Sequence, residues 1–501
     1  MPSADMPSWS RRQALGVLAG AALAPVVPGC RRKPPEALGD VVGRSSRERA
    51  VNAARRFAGS TLNVAWESGL QTQDLLEYSG PLWEKETGIH INTIALGSPI
   101  DLYRRMFAEH QAGTGAFDCG MVAPAWLPDL HEAGALEPLD RFIDHYMVAS
   151  DADDILPLYR GLGSWQGQRY GLFDDGDVLV LYYRRDLFDD PALQHEFAQK
   201  MGHPLGDPRS YDWKQFIDAA RFFTEKFAPQ RYGMAPFNRD LRWGWFQALL
   251  RKNGGQFFDP ETMKPGVDGE AGVLTMSQLA ELDRYMPPGV TDVAPKEVML
   301  TTYASGNAAM ASFWPPLGRW TEGYGVTPEE LGGMPRTRIT NKTGYALLPG
   351  GVSEMALGFL LSVFSRSRQK EAAYLFAQWL NSPEISLERV MLPFALRDPF
   401  RTSHITSPKY RQRWATAPEY LDTLAKAATT GALRDLILRG HADYADAFFI
   451  AATDVRLGAA IPTTMSKMAA QWEVVTEKYG RAGQRAAYAE YLRSPGATFR
   501  S

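Results

Sequence analysis

Three stretches decide the fold: Thr61-Leu-Asn-Val-Ala-Trp66, Ile89-His-Ile-Asn-Thr-Ile-Ala95 and Phe117-Asp-Cys-Gly-Met-Val122. Each is short, apolar and partly β-branched, as a buried strand requires. Between the first two, Thr72 to Thr87 reads as a helix closed by Gly88. Between the second and third, Ser98-Pro99-Ile100-Asp101 reads as a helix start: a capping hydroxyl, a proline at the first helical position and a carboxylate three residues after the cap. Leu102, Met106 and Phe107 give that helix one apolar face, and Gly113 ends it. Strand, helix, strand, helix, strand at this spacing predicts an α/β protein with a parallel sheet. Ligands of such sheets bind beyond the carboxyl ends of the strands, which draws attention to Trp66-Glu67 after the first strand and Ala125-Trp126 after the third. No G-x-G-x-x-G follows the first strand, so a dinucleotide site is not expected.

The surrounding chain has 501 residues, 45% hydrophobic and 22% charged, with a formal net charge of -3. That is globular composition with length for two or three domains. The near-neutral charge argues against a nucleic-acid partner, which needs a basic face. Ser10-Arg11-Arg12-Gln13-Ala14-Leu15 resembles a twin-arginine export signal. The apolar run from Leu15 to Val27, about 13 residues, falls short of the ~20 needed to span a bilayer and reads as the core of a signal peptide. It ends in Val27-Pro28-Gly29-Cys30, which resembles a lipoprotein-processing box with Cys30 as the lipidation site. Residues 1–29 are therefore expected to be a signal, 30–60 a tether, and the protein to be held at the cell envelope by a lipid anchor. Cys119, the only other cysteine, reads as a small buried hydrophobe inside a strand.

Further along, several segments carry a family resemblance. They are Ala112-Gly-Thr-Gly-Ala-Phe-Asp118 running through Trp126 to Asp140, and Tyr170-Gly-Leu-Phe-Asp-Asp-Gly-Asp-Val178 with Leu181 to Phe188. Tyr303 to Trp314, Gly358 to Trp379, and Asp398-Pro-Phe-Arg-Thr-Ser-His404 follow in order. Together they resemble the family 1 extracellular solute-binding proteins, the maltose-binding-protein-like class, across nearly all of 61–485. The match departs in insertions around His195–Asp207 and Tyr324–Thr343, and at Cys119. The resemblance implies an α/β, two-lobed periplasmic-binding-protein-like fold with several hinge crossings. By it the N-terminal lobe is 61–173 plus 357–415, the C-terminal lobe 174–356 plus 416–485, and 486–501 a tail. Crossings are expected near Phe173-Asp174 and Met355-Ala356. The implied function is the substrate-binding component of an ABC transporter, a monomer that captures a sugar or polyol and delivers it to membrane permease subunits. No cofactor, metal or catalysis is implied.

A sugar presents hydroxyls at its edge and C–H groups on its faces, so its pocket needs flat rings beside carboxylates, amides and guanidinium groups. Trp66 is a candidate plate or a strand end, and Glu67 a hydroxyl acceptor. Trp126 is a plate or a hydrophobic plug. Asp175 and Asp177 of Asp174-Asp175-Gly176-Asp177 are acidic ligand candidates, with a solvated hinge turn as the alternative. Of Trp243 and Trp245, two apart on a helix, one is expected to face the cleft. By the family resemblance Trp314 is a candidate stacking plate, with a structural cis-proline turn as the alternative. Gly358 permits close backbone approach. Arg401 either bridges hydroxyls or pins a crossover. Asp443 and Tyr444 are further candidates. Two alternatives stay open: a glycoside-active enzyme using carboxylates such as Glu67 and Asp175, and a receptor for a non-sugar solute.

Overall fold

The computed structural model describes residues 37–289, 296–323, 336–355, 358–392, 396–430 and 432–498. The signal, Cys30 and the crossing at Ala356 lie outside the described residues. In chain order the strands that matter are β1 (Thr61–Trp66), β2 (His90–Ala95), β3 (Cys119–Val122), β4 (Leu172–Asp175), β5 (Val180–Arg184), β6 (Tyr232–Met234), β7 (Ala308–Phe313), β8 (Thr343–Ala346), β9 (Ser353–Met355), β10 (Phe359–Val363) and β11 (Ala432–Arg434). The helices that matter are α1 (Ser46–Ala54), α2 (Pro99–Ala112), α3 (Leu127–Glu132), α4 (Arg239–Lys252), α5 (Pro316–Thr321), α6 (Lys370–Asn381), α7 (Pro383–Val390), α8 (Ala417–Ala427), α9 (His441–Arg456), α10 (Ile461–Tyr479) and α11 (Arg481–Arg493).

The three stretches that opened the sequence reading are β1, β2 and β3. β1 lies between the other two and parallel to both, with Val64 level with Thr93 on one side and Cys119 on the other. β10 then enters antiparallel between β3 and β4, giving the order β2-β1-β3-β10-β4. Every residue of β3 and β10 is buried, as expected of inner strands covered on both faces. Cys119 is buried here, and loss of solvent pushes its thiol well above the usual range. The second lobe has its own sheet, β8-β5-β7-β6, in which only β6 and β7 run parallel. The capping box of α2 forms as read, with Ser98 and Asp101 exchanging hydrogen bonds.

Three readings change. The helix expected over 72–87 begins at Leu70 and widens into a π-turn over Asp74–Ser79 before resuming at Gly80. Pro81 explains this: it offers no N–H and its ring crowds the preceding turn. Gly80 donates to Leu75 O five residues back, and a Cβ there would stand 2.3 Å from that same oxygen. Residues 46–57, expected within the tether, instead fold as α1 and a short 3-10 turn. α1 buries Ala50, Val51, Ala53 and Ala54, and Gln378 of α6 donates to Ser46 O at 2.8 Å. The segment expected as a C-terminal tail is likewise docked: α11 runs to Arg493, and Arg251 on α4 donates to Gly496 O and Ala497 O.

The chain passes from the first sheet to the second through Gly176–Leu179, between β4 and β5. Leu179 N donates to Glu354 O at 2.8 Å, and β9 pairs in parallel with β11, so the crossing segments lie side by side. Each lobe keeps an aromatic core of its own. Trp83 packs against Phe376 and Trp379 in the first, and Trp245 against Phe216 and Phe237 in the second. Burying each such ring contributes roughly 3 kcal/mol. Two internally packed lobes are thus joined at a seam formed by these crossing segments.

Candidate functional site

The seam holds a dense set of buried charges. Asp174 accepts from both terminal nitrogens of Arg389, whose Nε also donates to Asp74 at 2.7 Å. Asp175 accepts from Arg397 at 2.5 Å and from the Asp398 backbone at 2.9 Å. Asp177 accepts from Gly358 N at 3.1 Å, and Asp398 faces Arg319 of α5 at 3.3 Å. Oxygens of Asp175, Asp177 and Asp398 lie within 4.8 Å of one another. Burial pushes Asp175 well above the usual carboxylate range and Asp398 up to about 6, while Arg397 and Arg319 pull the other way. Charges taken out of water persist only when paired and hydrogen-bonded. Here the pairs join a hinge strand to segments more than two hundred residues away.

This placement sorts the residues singled out from the sequence. Asp175 is 0% exposed and occupied by Arg397, so it braces the crossing and is not available to a ligand in this arrangement. Asp177 and Gly358 hold each other, and Gly358 has φ +62°, a left-handed conformation that suits glycine. Trp66 is sealed beneath Arg397, whose guanidinium lies 5.0 Å from its ring, and its Nε1 donates to Gln71 O. Glu67 is buried beside it. Arg401 donates to Asn381 through both its backbone and side-chain oxygens, at 2.6 and 2.9 Å, which is the crossover-pinning alternative. Trp314 is buried edge-on to Phe313 at 5.1 Å. Trp245 is fully buried, with Nε1 on Ser312 Oγ at 2.9 Å.

Trp126 and Trp243 have a different setting. Both line a cavity of about 240 Å³ between the lobes. From the first lobe come Ser98 and Ile100 at the start of α2, and Trp126 after β3. From the second come Asn238, Arg239, Asp240 and Trp243 at the start of α4, with Asp435, His441, Ala445 and Phe449. Trp126 is held by Tyr103 at 5.4 Å and by the edge of Phe359 at 6.2 Å. Trp243 sits against Phe448 at 5.4 Å, and its Nε1 donates to Asp435 Oδ1 at 3.0 Å. Gln247, one helical turn on, donates to the same oxygen at 2.6 Å. Two residues on a helix differ by about 200° in direction, so with Trp243 in the cavity Trp245 points into the core.

The sequence reading missed Asn238, Arg239, Asp240, Asp435 and His441. Asp435 carried a usable signal: Arg434-Asp435 interrupts the apolar run from Ala432 to Leu438, and charges embedded in such a run are buried and partnered. Beside the cavity the lobes also touch directly. Gly440 N donates to both oxygens of Asp129 on α3 at 3.1 Å, and Arg439 faces Glu132 at 3.4 Å. Burial raises the Asp129 carboxyl above its ordinary value, with the bonds from Gly440 and Tyr103 opposing it.

Known proteins share this architecture. An ABC-transporter solute-binding protein from Agrobacterium radiobacter in complex with ribitol superposes with a TM-score of 0.66 at 19% identity, covering 83% of this chain and 99% of that one. The mannitol-binding protein of Pseudomonas aeruginosa is 26% identical over 257 residues, 50% of this chain and 52% of that protein, so the match spans about half of each. A probable amino-acid ABC transporter periplasmic-binding protein from Sinorhizobium fredii is 22% identical over 75% of this chain and 80% of its own length. Residues 65–386, more than half of the chain, match the family model for bacterial extracellular solute-binding proteins, and the chain belongs to this family.

Proposed function

We propose that this protein is the capture subunit of an ABC importer, that its solute is a polyol or sugar, and that it releases the solute unaltered to a permease. The observation that carries the reading is the inter-lobe cavity with one tryptophan from each lobe, Trp126 and Trp243, beside Asn238, Asp240 and Asp435. Rings offer plates to C–H faces and the polar groups meet hydroxyls, the combination a polyhydroxylated solute needs. The relatives named for mannitol and ribitol agree with this chemistry. Because the walls belong to different lobes, a bound solute favours the conformation in which they approach, and the joint surface so formed is what a permease would meet. The protein acts as a monomer at the cell envelope, tethered through a lipid on Cys30.

Titration calorimetry with D-mannitol, ribitol, maltose and L-glutamine tests the reading. Saturable binding of at least one of the first three, weakened tenfold or more in Trp126→Ala and in Trp243→Ala, is the expected result. Binding only of the amino acid, or conversion of a bound sugar to product, would refute it.

A further inference from the structure

One pair of side chains in the cavity has a chemical peculiarity. Asp435 is 1% exposed, and its Oδ1 takes both available donors, Trp243 Nε1 and Gln247 Nε2. Its Oδ2 has no hydrogen-bond partner among the described residues. The nearest polar neighbour across the cavity wall is His441 Nε2 at 3.8 Å, too far for a hydrogen bond. His441 is itself committed: its Nδ1 stands 2.8 Å from Leu436 O. A carbonyl only accepts, so the proton of that bond sits on Nδ1, and Nε2 is the ring nitrogen left toward Asp435. Asp435 Oδ2 and His441 Nε2 therefore face one another, and both residues line the cavity. A buried acceptor without a donor is destabilising, which makes the unpartnered Oδ2 a costly arrangement unless something arrives to donate.

Resting on the ligand reading above, we infer that Asp435 Oδ2 and His441 Nε2 together read two adjacent hydroxyls of the solute, and that this pair sets the preference for polyols over less hydroxylated solutes. Two neighbouring hydroxyls bring two donors on adjacent carbons, one for each acceptor. An ammonium group would also satisfy both. The cation on the same cavity wall, Arg239, is already paired with Asp446 at 2.6 Å, so the L-glutamine titration below is what separates the uncharged donor from the charged one. The charged pair behind Asp435, Arg251 with Glu354 at 2.6 Å, is already closed on itself.

The test uses the full mature protein, Asp435→Asn and His441→Phe, titrated with D-mannitol, ribitol, maltose and L-glutamine. Asn keeps an oxygen for Trp243 and Gln247 but replaces the free acceptor with a donor. Both variants are expected to lose tenfold or more in affinity for the polyhydroxylated probe that the wild type binds. The wild type is expected to prefer that probe tenfold over its mono-deoxy analogue at the contacted position, and Asp435→Asn to lose the preference, an effect that mere loosening of the fold would not produce. Should Asp435→Asn fail to fold, Asp435→Ser is read the same way. Equal affinities in wild type and both variants overturn the inference while leaving the polyol reading intact. A wild type that binds L-glutamine and no polyhydroxylated probe overturns both.

Discussion

Replacing Asp129 by alanine takes the acceptor away from Gly440 N, a buried donor on the opposite lobe. The bond is charge-assisted and shared between two oxygens at 3.1 Å each. A bond of this kind contributes about 1.5–2 kcal/mol, the low end for charged partners, because its length is ordinary. The neighbouring Arg439–Glu132 pair, 38% and 42% exposed at 3.4 Å, adds little. Tyr103 also donates to Asp129, but from the same lobe, so that bond survives opening. The ratio of closed to open molecules should then fall roughly ten- to thirtyfold, and apparent solute affinity with it where the open form dominates. Small-angle scattering without solute and calorimetry with it measure the two effects. Asp129→Asn keeps an oxygen for Gly440 and drops the charge that burial disfavours, so its affinity should match or exceed wild type. The sign with pH follows: the Asp129 pKa is raised in the closed form, so closure takes up a proton. Closure is favoured below the ordinary carboxylate value, and that advantage is lost as pH rises through the raised one. Unchanged scattering and affinity in Asp129→Ala would refute the idea that this contact holds the lobes together.

The seam makes its own pH prediction. Asp398, with its pKa raised to about 6 by burial, should add stability when protonated and lose that contribution as pH rises through about 6; thermal melts from pH 5 to 7.5 should show it, and Asp398→Asn should flatten the change. Trp245→Phe should lower the melting temperature through the lost bond to Ser312, about 1 kcal/mol, without altering solute affinity, whereas Trp243→Phe should weaken binding because Asp435 loses a donor. Cys30→Ser should move the protein from the membrane to the soluble fraction on cell fractionation.

What the sequence disclosed was local. The strands around Val64, Ile91 and Met121 and the capping box at Ser98 are decided by neighbouring residues, and the structure has them where the pattern put them. The alternation of Trp243 and Trp245 was also legible, because helical geometry alone requires that they diverge. The acids at 174–177 were not. Their partners, Arg389, Arg397 and the backbone at Asp398, lie over two hundred residues downstream, and nothing near the hinge announces them. His441 escaped for the same reason, since its cavity is completed by Trp126 from the other lobe, whereas Asp435 could have been found from the apolar run it interrupts. Residues 46–57 looked like a tether because their apolar side chains are mostly alanine; small residues suit the close packing of α1 on α6, and such packing leaves little hydrophobic signature.

The position of β10 bears on how the molecule is made. A strand from residues 359–363 sits between β3 and β4, strands from the first 175 residues. While a ribosome is still translating the second lobe, the first has a gap in the middle of its sheet, with two raw edges awaiting a partner not yet synthesised. Such edges recruit stray strands from other chains. Those edges therefore stay unpaired until residues 359–363 have been made, and the lobe begun first is closed only by a strand that follows most of the second.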